Sequence, residues 1–364
     1  MAFDIFLVTA PGLEAFLAEE AAELGLNVTG TTPGGVTLSG GWREVWAANI
    51  GLRGAVRVLA RIAEFRAFHL AQLDKRARKV NWGAVLRPDV PVRVEVTTRR
   101  SKIYHARAAA QRIERAISEE LGAPVSGEAG VVLKVRIDDN LVTISTDTSG
   151  ESLHKRGHKR FTGKAPMRET MAALMLRACG YDGKMPLVDP MCGSGTFVIE
   201  AAEIAAGLAP GRDRSFAFEH LAGLDAAAVA AMRAGDTRPA HCLCYGSDRD
   251  QGAVKGASEN AARAGVAEIT RFARAAVSDL QRPDGPPGLV IANPPYGGRI
   301  GNRKPLFALY GSLGAVLRER FHGWRVGLVT NDAGLAKATG LKLAASEPIA
   351  HGGLKVKLFQ AGPL

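Results

Sequence analysis

The first 65 residues alternate between strand-like and helix-like hydrophobic patterns. Short apolar or alternating runs predict four strands, at residues 3–9, 27–32, 35–40 and 55–65. Apolar residues at helical spacing predict two amphipathic helices, over residues 11–24 and 42–50. The resulting β-α-β-β-α-β order is typical of a small α+β ferredoxin-like unit, which we place at residues 1–58.

A second α+β pattern covers residues 59–150. It predicts helices at 69–79 and 104–121, a strand at 90–97, and a hairpin with strands at 131–137 and 141–146. The hairpin turn is Asp138-Asp139-Asn140, residue types that tolerate positive φ. Residues 151–165 are polar, basic and glycine-spaced, and we interpret them as a linker.

From residue 166 to residue 364, strands and helices alternate as in a doubly wound α/β sheet. The pattern closes with a strand at 324–330 and an antiparallel pair near 346–349 and 354–360. The predicted fold class is therefore α/β, with a doubly wound C-terminal domain after two α+β units. In such sheets ligands bind beyond the carboxyl ends of the strands, so the loops that follow the strands are candidate sites.

One of these loops is a glycine turn at residues 189–196, between an apolar strand and an apolar helix. Gly193 and Gly195 permit positive φ and close backbone approach, so a ligand can lie against main-chain amides at the helix start. A nicotinamide-binding fingerprint would have a third glycine where this chain has Val198. It would also have an acidic residue about 20 residues further on, whereas Asp248 comes 53 residues after Gly195. The turn therefore indicates a nucleoside site of another kind.

A second loop is Asn293-Pro294-Pro295-Tyr296, which follows an apolar strand at residues 288–292. The Asn293 side-chain oxygen and the Pro294 carbonyl can accept hydrogen bonds from one planar amino group. Two prolines in series stiffen the loop and remove two N–H donors. Tyr296 offers a ring on which a flipped-out base can stack. The tetrapeptide predicts a clamp for the exocyclic amine of a nucleobase; the alternative is a proline-rich surface turn.

The charge distribution favours a nucleic-acid partner. The net charge is +11, and residues 53–115 hold 16 Lys/Arg against 5 Asp/Glu, so this window alone carries +11. Concentrated cations suit phosphate contacts, although a solvated face is the alternative for any single residue. The candidate RNA-binding residues are Arg99, Arg100, Lys102, Arg107, Lys155, Arg156, Lys159 and Arg160.

The remaining composition indicates a cytoplasmic protein. The four cysteines (179, 192, 242 and 244) form neither a disulfide framework nor a zinc-ligand spacing, so we expect core thiols and no metal. We place Cys242 and Cys244 on one buried strand. The N-terminus lacks the charged region of a signal peptide, and no run of 18 apolar residues predicts a membrane span.

The order of the glycine turn, Asp248 and Asn293 resembles that in class I S-adenosylmethionine-dependent methyltransferases. The resemblance implies that the C-terminal sheet of this chain is Rossmann-like. The resemblance implies that the two glycines approach the methionine end of S-adenosylmethionine. It implies that Asp248 accepts the ribose hydroxyls and Asp279 meets the adenine amine. The alternatives are a helix N-cap for Asp248 and ordinary loop chemistry for Asp279. The implied cofactor-binding residues are Asp189, Pro190, Cys192, Gly193, Ser194, Gly195, Thr196, Asp248, Asp279 and Asn293.

Nearly the whole chain resembles THUMP-domain RNA methyltransferases that modify guanine at its N2 amine, in particular the bacterial ribosomal-RNA branch. The similar segments are residues 10–14, 147–157, 165–170, 189–196 and 293–297. The resemblance implies a THUMP RNA-binding unit at residues 59–150 and catalytic roles for Asn293, Pro294 and Tyr296. The family also carries an insertion similar to residues 209–219, which accounts for the long gap before Asp248; it tends to end in an aromatic residue where this chain has His220.

Three other functions fit parts of the pattern. A guanine-N2 methyltransferase could act on transfer RNA, and an adenine-N6 methyltransferase on DNA would use the same amine clamp. A non-catalytic RNA-binding or ribosome-assembly factor could keep the fold. The basic N-terminal units favour RNA, and the presence of Gly193, Gly195, Asp248 and Asn293 favours catalysis. We therefore predict an S-adenosylmethionine-dependent RNA guanine-N2 methyltransferase, with 23S ribosomal RNA as the expected substrate.

Overall fold

The computed structural model describes residues 2–163, 166–235, 237–296 and 304–364. Two positions of the sequence motifs, Ala165 and Gly297, lie outside the described residues. The chain divides into two compact units. The N-terminal unit comprises residues up to 9, 18–153 and 213–234; the C-terminal unit comprises residues 10–17, 154–212 and 235–364.

The first 150 positions supply seven of the strands in the described residues. They are β1 (Phe3–Val8), β2 (Val28–Thr32), β3 (Gly35–Gly40), β4 (Arg57–Arg66), β5 (Val92–Arg99), β6 (Val131–Asp138) and β7 (Leu141–Asp147). The helices among them are α1 (Glu14–Glu23), α2 (Trp42–Gly51), α3 (Leu70–Ala77) and α4 (Ala106–Leu121). Each predicted element of this region is present, but α1 begins at Glu14 and not at residue 11, because the chain first turns at Pro11 and Gly12.

These strands form one sheet in the order β2-β3-β1-β4-β7-β6-β5. The first four strands have the β-α-β-β-α-β connectivity expected of a ferredoxin-like unit. β4 pairs with β1 through its first residues and with β7 along most of its length, so the sheet continues without a break past residue 58. β5 and β6 are parallel, and the β6–β7 hairpin turns at Asp139 and Asn140, whose φ angles are 49° and 60°.

The rest of the chain supplies the second sheet. Its strands are β8 (Leu187–Asp189), β9 (Cys244–Asp248), β10 (Thr270–Arg274), β11 (Leu289–Ala292), β12 (Arg325–Thr330), β13 (Ala344–Ala345), β14 (Ile349–His351) and β15 (Leu354–Ala361). The helices are α5 (Glu169–Ala178), α6 (Thr196–Ala205), α7 (Ala226–Ala234), α8 (Gln251–Arg263), α9 (Lys304–Arg320) and α10 (Ala333–Ala338). Within the described residues, none of the helices has the length and apolar character needed to span a membrane.

The second sheet runs β10-β9-β8-β11-β12-β15-β13, and its first five strands are parallel. From β8 the chain moves outward through β9 to β10, and from β11 it moves the other way through β12. The reversal of strand order, which is where open α/β sheets bind ligands, therefore lies between β8 and β11. The doubly wound prediction is confirmed, and β14 and β15 form the predicted antiparallel pair.

Several details differ from the sequence predictions. Residues 10–17, expected within the unit at 1–58, and residues 154–163, expected in the linker at 151–165, belong to the C-terminal unit. Cys242 lies before β9, half-buried, with its thiol directed at the Gly183 carbonyl; only Cys244 is on the strand. Residues 213–234, which we expected within the C-terminal domain, belong to the N-terminal unit. There the Phe218 N–H donates to the Thr148 carbonyl at 3.0 Å, and the Arg214 guanidinium donates to the Glu151 carbonyl at 2.7 Å.

Candidate active site

The two glycines of the turn after β8 have different surroundings. Both have positive φ, 51° at Gly193 and 81° at Gly195. A Cβ added to Gly195 would meet Ala257 Cβ at 3.1 Å and Phe272 at 3.3 Å, so this glycine is required by packing of the turn against α8 and β10. A Cβ added to Gly193 would meet nothing within 4 Å. The main chain at Gly193 is therefore open to a ligand.

Asp248 holds this turn and does not cap a helix. Its Oδ2 accepts a hydrogen bond from the Gly193 N–H at 3.1 Å, and its Oδ1 accepts one from the Asp250 N–H at 3.0 Å. The N-cap of α8 is Asp250, whose carboxylate accepts from the Gly252 N–H at 2.8 Å. The alternative role of Asp248 as the helix cap is therefore wrong. Asp248 remains beside the glycine turn with lone pairs to spare on both oxygens.

Asp189 ends β8 with its side chain buried, and its Oδ1 accepts from the Met191 N–H at 3.1 Å. Burial raises the pKa of Asp189 to about 8, and the charge of Asp248 adds to the increase. A carboxyl group in this environment ionises readily only when a cation comes close. Asp189 thus suits a positively charged ligand group. Pro190, Cys192, Ser194 and Thr196 are buried, so the rest of the turn offers mainly backbone.

The segment at residues 154–163, here called the strap, packs against the start of α6. The side chains of Arg156 and Glu200 form an ion pair at 3.1 Å and are only 2% and 1% exposed. Lys159 Nζ donates to Thr196 Oγ1 at 2.8 Å and lies 3.2 Å from a carboxylate oxygen of Glu169. The prediction that Arg156 and Lys159 contact RNA is therefore wrong, because their charged groups are enclosed and paired inside the C-terminal unit. The side chains of Lys155 and Arg160 are exposed.

Asn260, on α8, joins the strap to the glycine turn and was missed from the sequence. Its fully buried amide donates to the Ser194 carbonyl at 3.1 Å and to the Phe161 carbonyl at 3.0 Å. Its Oδ1 accepts from the Arg160 N–H at 3.1 Å. A signal was available, because Asn260 continues the apolar face of a helix that also contains Val254 and Ala257. A polar residue on such a face needs partners.

The Asn293 loop follows β11, which pairs with β8 in parallel register, so both loops lie at the same edge of the sheet. Oδ1 of Asn293 is buried and has no hydrogen-bond partner among the described residues. An unsatisfied buried acceptor is costly, and at a ligand site it is explained by a donor that arrives with the ligand. Pro294 is buried and Tyr296 is half-buried against the core.

Tyr310, on α9, supports this loop and was not predicted. Its hydroxyl donates to the Pro295 carbonyl at 3.4 Å, and burial raises the pKa of Tyr310 to about 12. Burial also raises the pKa of Tyr296, so both phenols stay neutral near neutral pH. The loop is thus held by a neutral donor from α9. Nothing in the local sequence around Tyr310 marked it, since an aromatic residue in an apolar helix is usually core.

The remaining predicted residues lie apart from this cluster. Asp279 is exposed after β10, and its carboxylate accepts from Ser278 Oγ at 3.1 Å. In the N-terminal unit, Arg99, Arg100, Lys102 and Arg107 are exposed. Across the described ranges, no group of three or more His, Cys, Asp or Glu side chains could hold a metal ion.

Comparisons with known proteins show to which family the chain is similar. A family model described as the RMKL-like methyltransferase domain matches residues 156–357, and a model of the RlmL ferredoxin-like domain matches residues 4–59. The chain is 30% identical over 367 residues to slr0064 of Synechocystis sp., named as a candidate RNA methyltransferase, covering 98% of this chain and 95% of the relative. It is 35% identical over 378 residues to the ribosomal RNA large subunit methyltransferase K/L of Chromohalobacter salexigens, covering 98% of this chain and 52% of the relative.

The chain therefore spans about half the length of the K/L methyltransferases that it matches. Among solved structures, it is similar to SMU.472, a candidate methyltransferase in complex with S-adenosylhomocysteine (SAH). The TM-score is 0.86 at 29% identity, covering 99% of this chain and 97% of the other.

Proposed function

Because the chain belongs to the RMKL-like methyltransferase family, we propose that it methylates the exocyclic N2 amine of a guanine in RNA, with S-adenosylmethionine as methyl donor. The proposed substrate is 23S ribosomal RNA, on the basis of the names of its K/L relatives. The proposed location is the cytoplasm, as the sequence composition indicates. The observation that carries the chemical part is the buried Oδ1 of Asn293, which lacks a donor and lies one strand away from the glycine turn.

The residues at the turn fit the cofactor. The open main chain at Gly193 would receive its methionine end, and Asp248 would accept hydrogen bonds from its ribose hydroxyls. A cofactor ammonium group would stabilise ionised Asp189, whose pKa burial raises to about 8 in its absence. Asp279 is proposed to meet the adenine amine. When bound, S-adenosylmethionine supplies an electrophilic methyl group on a sulfonium centre.

The Asn293 loop would orient the nucleophile. An aryl amine is a weak nucleophile because its lone pair is delocalised into the ring. Asn293 Oδ1 and the Pro294 carbonyl would each accept one amine hydrogen, which draws the nitrogen towards tetrahedral geometry and directs its lone pair. Tyr296 would stack on the extruded base. Orientation of this kind supplies about 7–11 kcal/mol in well-aligned cases, and the amine proton can leave to solvent after transfer.

Nucleoside mass spectrometry tests the proposal. RNA from a deletion strain and its parent is fractionated into ribosomal and transfer RNA, and their methylated nucleosides are compared. We expect N2-methylguanosine to fall in 23S ribosomal RNA. Loss of N2-methylguanosine from transfer RNA alone would show that transfer RNA is the substrate. A fall of N6-methyladenine in DNA would overturn the guanine assignment. No change in any methylated base would support a non-catalytic role.

The clamp is tested with Asn293→Ala in the purified protein. We expect the methylation rate to fall about 10²–10³-fold, because a positioned acceptor is lost, while cofactor affinity stays the same. Asp248→Ala is the matched variant and should weaken cofactor binding, measured by calorimetry. A wild-type rate for Asn293→Ala would show that the amine is held elsewhere.

A further inference from the structure

At one end of the strands of the seven-stranded sheet, aromatic and basic side chains lie close together. β4 ends at Arg66 and β5 at Arg99, and these residues pair with Leu141 and Asp138 on either side of the β6–β7 turn. The loops after both strands therefore meet that turn. Tyr104 is 70% exposed and Phe68 is 41% exposed. The exposed cations of the same loops and the adjoining helix turn are Arg66, Arg99, Arg100, Lys102 and Arg107.

Asn140 links these segments through hydrogen bonds. Its carbonyl accepts from the Ala67 N–H at 2.9 Å, and its Oδ1 accepts from the Lys102 N–H at 2.9 Å. Its own N–H donates to Ser101 Oγ at 3.0 Å. Thr98 Oγ1 donates to the Tyr104 carbonyl at 3.2 Å. The 98–104 loop is therefore fixed at both ends, and the main chain of Tyr104 is held by the Thr98 hydroxyl.

Cations and aromatic rings are interleaved in this loop and at Phe68. Arg100 has φ of 45°, a left-handed conformation that costs a residue with a Cβ about 1–2 kcal/mol and that persists where surrounding contacts impose it. Lys102 Nζ lies 5.6 Å from the centre of the Phe68 ring, and the Tyr104 ring leans on His105 at 4.2 Å. Arg100 and Arg136 both pair with Asp138, so this acid is already neutralised.

We propose that the 98–104 loop and Phe68 form a stacking platform for unpaired RNA bases. Tyr104 and Phe68 would stack one base each, while Arg99, Lys102 and Arg107 contact the phosphates on either side. Bases of any identity have a π-face, and single strands are bound in this way by aromatic rings set among cations. The charge at this end of the strands favours RNA over an apolar protein partner. This inference rests on the proposed RNA substrate and adds that part of the recognised RNA is single-stranded.

The start of α4 supports a phosphate position beside the rings. Its N-cap is His105, which makes no side-chain capping hydrogen bond. The first-turn amides of a helix attract anions, and Arg107 lies in this turn. The phosphate next to a base stacked on Tyr104 would lie near the first-turn amides of α4 and the Arg107 side chain.

The test is RNA binding by the whole chain without cofactor, measured by fluorescence anisotropy. The probes are a labelled single-stranded RNA of about 12 nucleotides, within the range covered by single-strand grooves, and the duplex of the same sequence. We expect Tyr104→Ala to weaken single-strand binding about 5- to 100-fold and duplex binding by less than twofold. Tyr104→Phe should rescue single-strand binding because the ring is kept. Leu24→Ala, an exposed apolar residue of the same unit at 45% exposure, is the control and should change neither.

Two outcomes would overturn the platform: unchanged single-strand affinity in Tyr104→Ala, or an equal loss for single strand and duplex. Circular dichroism of each variant checks that the fold is kept. The experiments distinguish a failure of the platform from a failure of the proposed function. If the wild type methylates guanine but Tyr104→Ala binds single strands normally, only the platform is wrong. If Tyr104→Ala loses single-strand binding but the wild type methylates no guanine, only the reaction is wrong.

Discussion

Two short basic segments of this molecule differ in what their cations contact. In the 98–104 loop, Arg99 and Lys102 are exposed at the edge of an antiparallel hairpin. In the strap, the side chain of Arg156 is 2% exposed and paired with Glu200, and Lys159 contacts Thr196. Both segments have several cations within a few residues and glycine or serine among them. The loop leaves these cations facing solvent, and the strap ties together three helices beside the glycine turn.

The difference shows that the acidic residues around a cluster of cations decide whether the cluster is buried in ion pairs or left exposed. α6 carries Glu200 and Glu203 on an otherwise apolar, buried helix, and such carboxylates are tolerated only when paired. The strap supplies Arg156 as the partner of Glu200, and Arg212 pairs with Glu203 at 2.7 Å. In the 98–104 loop, Asp138 is shared between Arg100 and Arg136, which leaves other cations facing solvent. Salt screens exposed charges strongly and a buried pair much less. The loop should therefore be tested by the salt dependence of binding, and the strap by the free energy of unfolding.

The largest expected effect comes from breaking the buried pair. Arg156→Ala leaves Glu200 buried without its guanidinium, and we expect a loss of about 3–5 kcal/mol in unfolding free energy, measured by urea denaturation. Arg160→Ala, an exposed strap position, is the control and should change stability by less than about 0.5 kcal/mol. An Arg156→Met, Glu200→Leu double variant should recover most of the loss, because the charge is removed from both partners.

The comparison would be broken if Arg156→Ala kept wild-type stability and lost RNA affinity. In that case the strap would be part of the RNA surface after all.

A smaller effect is expected at the 98–104 loop. Arg99→Gln with Lys102→Gln should leave stability within about 0.5 kcal/mol but make the dependence of log affinity on log salt less steep, by about 0.7 for each phosphate contact to a single strand. Affinity is measured by titration at several salt concentrations. Arg43→Gln, an exposed cation of the same unit outside the 53–115 window, is the control. An unchanged slope in the double variant would remove this loop from the RNA surface.

The last effect appears only in acid and concerns the stability of the strap. Partial burial and the neighbouring charges of Arg168 and Lys159 lower the pKa of His154 to about 4. Because the folded-state pKa lies below the unfolded value near 6.5, protons bind the unfolded chain preferentially, and stability should fall as pH drops from about 6.5 to about 4. His154→Gln should make stability depend less on pH in this range, as measured by thermal melting at each pH. Equal slopes in both proteins would show that another group is responsible.

The fold followed closely from the hydrophobic pattern. Alternation and apolar runs located β4, β6, β7 and the strands of the doubly wound sheet, because each buries one face or both against a core. The start of α1 was less certain from sequence, since Pro11 is acceptable both in a turn and in a first helical turn. The assignment of residues 213–234 to the N-terminal unit had no local signal, because it depends on where Phe218 and Arg214 find partners.

The site was predictable where chemistry and topology coincide. Strands β8 and β9 end in aspartates, and β11 is followed directly by Asn293; parallel strands place those ends along one edge. Asp189, Asp248 and Asn293 could therefore be brought together from sequence. Asn260 was marked only as a polar residue on an apolar helix face, and Tyr310 was not marked at all. Their partners could not be predicted, because these hydrogen bonds join residues on different elements.

The sequence by itself determined the order of elements, the doubly wound sheet and the two loops at its carboxyl edge, since hydrophobic period and strand ends are local properties. Tertiary structure alone decided which cations are buried and which amides hold the glycine turn. Arg156 meets Glu200 across 44 residues of chain, and the Arg160 N–H meets Asn260 across 100. Such partners are neighbours only after folding, and burial then makes an unpaired charge too costly to leave, so the pairing could not be read from either segment alone.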